Sequence, residues 1–339
     1  MRMTGKKRVL LEILAALVLS GMSTPARAVD PDADFQARCN APGVIKCIGF
    51  DNTTSDIVQN VNLFPDGAGV FRASLDTTTK ASGAGSLRFA LPPPPTSGAN
   101  IAGRWTLPTG WGMKFGQNST FYVQFRQRLS PEMLNNTWDS YWKAAIFHQD
   151  NLTCASIELT TINLYLTGVT NMYSDCGGKP MTTELDGMTW KDASPPYLEQ
   201  QGDYHCQYGN LNQNDCFYYV PNEWLTFYYE VHIGTWNQPN STVRAWAARE
   251  GQPYKQFINV VNNLSLSCNT DPCDQSPGKD QGYNNVTLLP YMTGLNPNSG
   301  LAGVTSYDWY DELIISMQPI QAPQSILQSP TVPGNLTVH

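Results

Sequence analysis

"TFYVQFRQRLS", Thr120 to Ser130, alternates with a period of two. Phe121, Val123, Phe125, Gln127 and Leu129 fall on one side of an extended chain, and Tyr122, Gln124, Arg126 and Arg128 on the other. One largely apolar face and one polar face mark a strand buried on a single side, as in an antiparallel sheet packed against a second layer. Working outward, "SYWKAAIFHQD" (140–150), "ASIELTTINLYLTG" (155–168) and "EWLTFYYEVHIG" (223–234) have the same extended character. So do "STVRAWAARE" (241–250), "NVTLLPYMTG" (285–294) and "DWYDELIIS" (308–316). Clusters of Asn, Gly, Pro and Asp separate them, and helical periodicity is scarce. Many such strands along one chain predict an all-β fold, two antiparallel sheets packed as a jelly-roll sandwich.

The first residues read differently. Arg2, Lys6, Lys7 and Arg8 precede a short apolar run, Ile13 to Gly21, and Ala26-Arg27-Ala28 supplies a small-x-small cleavage pattern. Residues 1–28 are therefore expected to be a signal peptide, and the protein to be exported, secreted or periplasmic. That apolar run is too short to span a bilayer, so no membrane insertion is expected. A single domain is predicted over 29–317. Beyond it, "QPIQAPQSILQSPTVPGNLTVH" (318–339) is rich in Pro and Gln and reads as a dispensable linker or tail.

Residues 1–28 carry five of the 21 basic and one of the 28 acidic residues, so the remainder holds 16 against 27, a formal charge of −11. Nucleic acid and anionic membranes need a basic face and are disfavoured as partners. All eight cysteines follow residue 28, and an even count in an exported chain reads as disulfides. Their order suggests four local clips: Cys39–Cys47, Cys154–Cys176, Cys206–Cys216 and Cys268–Cys273. Nine tryptophans and sixteen tyrosines on a weakly charged β-rich chain suit stacking against sugar rings, or filling of a sandwich core. A glycan is the expected partner, and a monomer the expected state.

The succession "SGAGSLRF", "FYVQFRQRL", "WKAAIFHQ", "SIELTT" and "YDWYDELIIS" resembles the concanavalin A-like jelly rolls, in particular the β-sandwich polysaccharide lyases of the alginate, glucuronan and heparin lyase kind. The resemblance covers most of residues 44–316. It implies a histidine and a tyrosine on one sheet, exchanging protons with a uronate, and a group that neutralises the uronate carboxylate. In the alginate-lyase pattern a strand ending Gln-Ile-His supplies the histidine. Here "Ile146-Phe147-His148" matches only the histidine, and Ile146 stands where the neutralising glutamine belongs. "Leu289-Pro290-Tyr291-Met292-Thr293" matches the tyrosine strand, so the resemblance implies His148 and Tyr291 as the catalytic pair.

Substrate-binding candidates are Arg126, Trp142, Glu158 and Lys143. Strict alternation puts Trp142, Ile146 and His148 on one face, with Ala145 and Phe147 on the core side and Lys143 turned away from His148. Glu158 is a carboxylate in an apolar strand, where burial without a partner is costly. Asp51, in "GFDN", and Asp311, in "WYDEL", come from the first and last strands and could hold a structural Ca²⁺. No cofactor is otherwise required. Three function classes remain: a lyase acting by β-elimination, a non-catalytic carbohydrate-binding module, and a glycoside hydrolase, for which Glu158 lacks an obvious second carboxylate.

Overall fold

The computed structural model describes residues 29–92, 102–134, 141–149, 158–164, 169–174, 197–198, 217–236, 238–265, 282–291 and 304–324. The expected signal peptide lies outside the described residues, as do Cys154, Cys176, Cys206, Cys216, Cys268 and Cys273.

The described chain opens with α1 (Pro31–Cys39), capped by the Asp30 carboxylate, which accepts the Asp32 N–H. Then come β1 (Val44–Ile48), β2 (Leu63–Phe64), β3 (Ala73–Asp76), β4 (Ser86–Leu91), β5 (Arg104–Thr106) and β6 (Ser119–Leu129). A short α2 (Pro131–Leu134) leads to β7 (Tyr141–His148), β8 (Glu158–Leu164), β9 (Val169–Ser174) and β10 (Tyr197–Leu198). The described elements continue with β11 (Leu225–Ile233), β12 (Pro239–Arg249), β13 (Lys255–Leu264), β14 (Asn285–Leu288) and β15 (Ser306–Ser316). One sheet runs β13-β12-β11-β6-β15-β4-β3, with β1 also on β15; the other runs β10-β9-β8-β7-β14-β5-β2. Every pairing between these strands is antiparallel. The Cys39–Cys47 bridge, Cα atoms 5.6 Å apart, ties the end of α1 to β1 as the cysteine order predicts.

The period-two reading of β6 holds. Phe121, Val123, Phe125 and Leu129 enter the core between the sheets, where Phe121 and Phe147 of β7 meet edge to face at 6.1 Å. Each fully buried large apolar side chain contributes about 1.5–3 kcal/mol relative to exposure. Trp105, Trp111 and Trp142 are among the fully buried residues, so these tryptophans fill the core and are closed to a sugar.

Gln127 is the polar member of that inward row. Its Nε2 donates to both Asp308 oxygens at 3.0 Å and to the Tyr310 hydroxyl at 2.9 Å, while Tyr219 donates to its Oε1. Tyr310 in turn donates to the Ala144 carbonyl of the opposite sheet at 2.8 Å. Burial pushes the Asp308 carboxyl well above the usual carboxylate range, against the lowering effect of the hydrogen bond from Gln127. A raised folded pKa means that the native state keeps a proton the unfolded chain releases. Stability from this group is therefore full below the ordinary carboxylate pKa of about 4 and declines as pH rises above it toward the raised folded-state value. Asp308→Asn should flatten that decline, as measured by urea denaturation at a series of pH values. An unchanged pH slope would refute it.

The outward row of β6 is not solvated as its polarity suggests. Arg38 of α1 bonds Asp34 at 2.9 Å, Gln124 at 2.6 Å, and Glu312. Gln124 Nε2 also donates to the Gln321 carbonyl at 2.8 Å, and the Asp34 carboxylate accepts the Gln324 N–H at 3.1 Å. Ile320 is 6% exposed and packs with Phe35, Tyr228 and Ile314. The tail that composition marked as dispensable from 318 thus belongs to the fold as far as Gln324. A chain ending at Met317 should lose about 2–4 kcal/mol against one ending at Gln324, from Ile320 burial and the two hydrogen bonds. In a thermal melt that is a fall of roughly 5–10 °C. Equal melting temperatures would return the boundary to 317.

Asp51 and Asp311 hold a loop. The Ala81 and Ser82 N–H groups donate to the Asp311 carboxylate at 2.7 and 3.3 Å, and Gly83 N–H to Asp32 at 2.7 Å. The Ala84 and Gly85 N–H groups donate to Asp51. Gly83 has φ +62°, and a Cβ there would run into the Asp51 carboxylate, which accounts for glycine in "SGAGSLRF". Calcium takes roughly six to eight oxygens. Among the described residues no three His, Cys, Asp or Glu side chains converge in that way, and these two carboxylates are engaged by backbone amides. The donors do not fit a calcium ion.

Candidate functional site

The outer face of the seven-stranded sheet is organised by one irregularity. Against β8, the register of β7 slips between Lys143 and Ala145, so Ala144 is an extra residue, a β-bulge. A bulge exchanges the faces of everything beyond it. Trp142 therefore turns inward, fully buried in the core beside Ala145 and Phe147, and is no substrate-binding residue. Lys143 turns outward onto the side of Ile146 and His148, where strict alternation would not have put it.

On β14, Asn285 faces His148 and Thr287 faces Ile146; on β5, Thr106 faces Thr287. His148 Nε2 lies 2.9 Å from Thr287 Oγ1, which lies 2.8 Å from Thr106 Oγ1. This hydroxyl chain draws the imidazole along the strand toward Ile146. Both His148 and Ile146 are buried although neither belongs to the core between the sheets. Two residues before Thr106, Arg104 lies 4.9 Å over the Phe64 ring, and burial pulls its guanidinium below the usual range. Its Nε has no hydrogen-bond partner among the described residues.

At the other end of β7, the Lys143 N–H donates to the Tyr291 carbonyl at 2.7 Å, and the Lys143 ammonium stands 5.4 Å from the centre of the Tyr291 ring. From the level of Ile146 and Thr287, toward which His148 leans, to the level of Lys143 is two regular strand rises, roughly 7 Å. His148, fully buried, and Tyr291, partly buried and also packed against the core, thus lie toward opposite ends of β7, with Lys143 at the tyrosine end. Glu158 occupies the β8 position opposite His148.

Arg126 is not part of this face. It belongs to β6 of the other sheet, is 4% exposed, pairs with Glu250 and with Glu312 at 3.6 Å, and lies 5.9 Å over Trp224. It is a structural cation, not a substrate-binding one. His232 also faces away, 3.0 Å from the Thr120 hydroxyl. His205 lies outside the described residues.

The arrangement superposes on the crystal structure of the PL-14 alginate lyase from Aplysia kurodai with a TM-score of 0.51 at 13% identity, over 80% of this chain and 98% of that one. The fold the two share is a two-sheet antiparallel jelly roll. The endo-β-1,4-glucuronan lyase of the fungus Trichoderma reesei aligns at a TM-score of 0.45 and 10% identity, over 73% of this chain and 87% of its own. No protein-family model and no curated protein sequence matches the chain. Likeness at such identity speaks to fold alone, so any activity has to be argued from the side chains. Among the described residues, no helix is long and apolar enough to cross a membrane.

Proposed function

We propose that this chain is an exported polysaccharide lyase that cleaves a uronate-containing glycan by β-elimination on the outer face of the seven-stranded sheet. The observation that supports this reading is the Ala144 bulge, which turns Lys143, beside the Tyr291 ring, to the side of the sheet where His148 meets Thr287. His148 takes the proton from the carbon next to the uronate carboxylate. The electron pair left behind spreads into the carboxylate, and without a counter-charge that state is too costly. Lys143 and Arg104 supply the positive charge that Ile146 cannot. Tyr291 gives a proton to the glycosidic oxygen as the carbon–oxygen bond breaks and a carbon–carbon double bond forms. The step is redox-neutral and needs no cofactor.

The product's unsaturated uronate absorbs in the ultraviolet. Screening alginate, glucuronan, hyaluronan, heparin-type and pectic polymers should therefore show rising absorbance with at least one of them. No rise with any would refute the lyase. A non-catalytic glycan-binding module is the second reading, favoured by the complete burial of His148. Retention by one of these polymers without an ultraviolet signal would support it.

A further inference from the structure

The opposite side of the sandwich carries a second arrangement of cations and rings. On the outer face of the eight-stranded sheet, Trp309 of β15 is in register with Arg88 of β4 on one side and Arg128 of β6 on the other. Two strand spacings separate the arginines' backbones, roughly 10 Å. Tyr307 stacks on Trp309 at 5.5 Å and 28°. Arg88 lies 5.7 Å over the Tyr307 ring and Arg128 5.8 Å over that of Trp309.

Asp76 is the carboxylate of this cluster; it accepts from Trp309 Nε1 at 2.9 Å and from Arg88 at 3.3 Å. Arg128 has no hydrogen bond or ion pair among the described residues, and the Nε atoms of both arginines are buried without a hydrogen-bond partner. The Arg88 side chain is 35% exposed, and Arg128 and Tyr307 are part-exposed. Two guanidinium groups against one carboxylate leave net positive charge on a chain of formal charge −7. Part-exposed planar cations set against aromatic rings match a carboxylate attached to a sugar whose C–H face stacks on tyrosine.

We propose that Arg88, Arg128, Tyr307 and Trp309 form a docking platform for an acidic polysaccharide, remote from His148 and on the opposite sheet. The choice of a uronate polymer as occupant rests on the reading of the front sheet given above. The platform would hold long chains while the front sheet works on another part of them.

The test is native-gel electrophoresis through alginate, glucuronan or polygalacturonate, with neutral laminarin as control. The parent should be retarded by at least one acidic polymer and not by laminarin. Arg88→Gln combined with Arg128→Gln should raise the apparent Kd on the order of tenfold, while turnover of a short oligouronate stays unchanged. Should the double variant fail to fold, Tyr307→Ala, at a part-exposed position, is expected to weaken retention severalfold. Equal retardation of parent and variants overturns the platform even if elimination is observed. Retention that depends on the arginines, without elimination, supports the platform and removes the lyase. A parent unretarded by every acidic polymer overturns the platform.

Discussion

Tyr291→Phe and Lys143→Ala should each lower kcat/KM for uronate elimination by on the order of 10²-fold, and His148→Ala by at least as much. The three changes act at different points of one elimination: proton removal, charge neutralisation and proton donation. Phenylalanine keeps the ring that Lys143 overlies and removes only the hydroxyl, so loss of rate without loss of stability isolates proton donation. Lys143→Ala takes away charge at the tyrosine end of β7 and should raise KM as well as lower kcat, because the carboxylate is bound in the ground state too. Lys143→Arg should recover part of the binding. Thermal melts of each variant check that the sheet survives. Rates within threefold of the parent for both Tyr291→Phe and Lys143→Ala would remove this end of the sheet from the mechanism.

The largest expected effect on stability is at Glu312. This carboxylate lies in β15 with φ +51°, in the left-handed region that side chains avoid, next to the strand's own irregularity. It is 1% exposed and holds both Arg38, from α1, and Arg126. Glu312→Ala leaves two buried guanidinium groups short of a partner, and breaking buried pairs in this way costs about 3–5 kcal/mol. Adding Arg38→Met to Glu312→Ala should cost less than the sum of the two single changes, since the second removes a charge the first left uncompensated. Urea denaturation of the four proteins measures this coupling; strict additivity would show that the two residues do not depend on each other.

Much of the architecture was legible because period-two alternation is local. Thr120 to Ser130 sorts its side chains correctly from spacing alone, and the close pair Cys39 and Cys47 is bridged as its spacing suggests. The candidate site was legible only in part. His148, Lys143 and Tyr291 were picked out, but alternation assigned Trp142 and Lys143 to the wrong faces. A bulge is decided by how two strands fit, and nothing in "WKAAIF" marks Ala144 as the extra residue. Thr287 and Thr106 were missed for a related reason: their hydroxyls matter only because register puts them in line with His148. Arg126 misled because a polar outer row looks solvated until a helix and a tail from distant sequence cover it. The tail itself misled through composition, since a single buried isoleucine among prolines and glutamines leaves no periodic signal.

The place of β15 has a consequence for how the chain acquires its shape. This last strand is hydrogen-bonded to β6 along one edge and to β4 and β1 along the other. Until residues 306–316 have been synthesised, no other described strand joins β3, β4 and β1 to β6, β11, β12 and β13. A ribosome that has not reached them holds two half-sheets with bare edges, the condition in which strands recruit foreign partners. Closure between distant parts of the sequence is slow, on a scale of milliseconds to seconds for comparable all-β chains. The eight-stranded sheet is therefore completed only after translation has passed its final strand, and a nascent chain stalled before residue 306 should be held by chaperones.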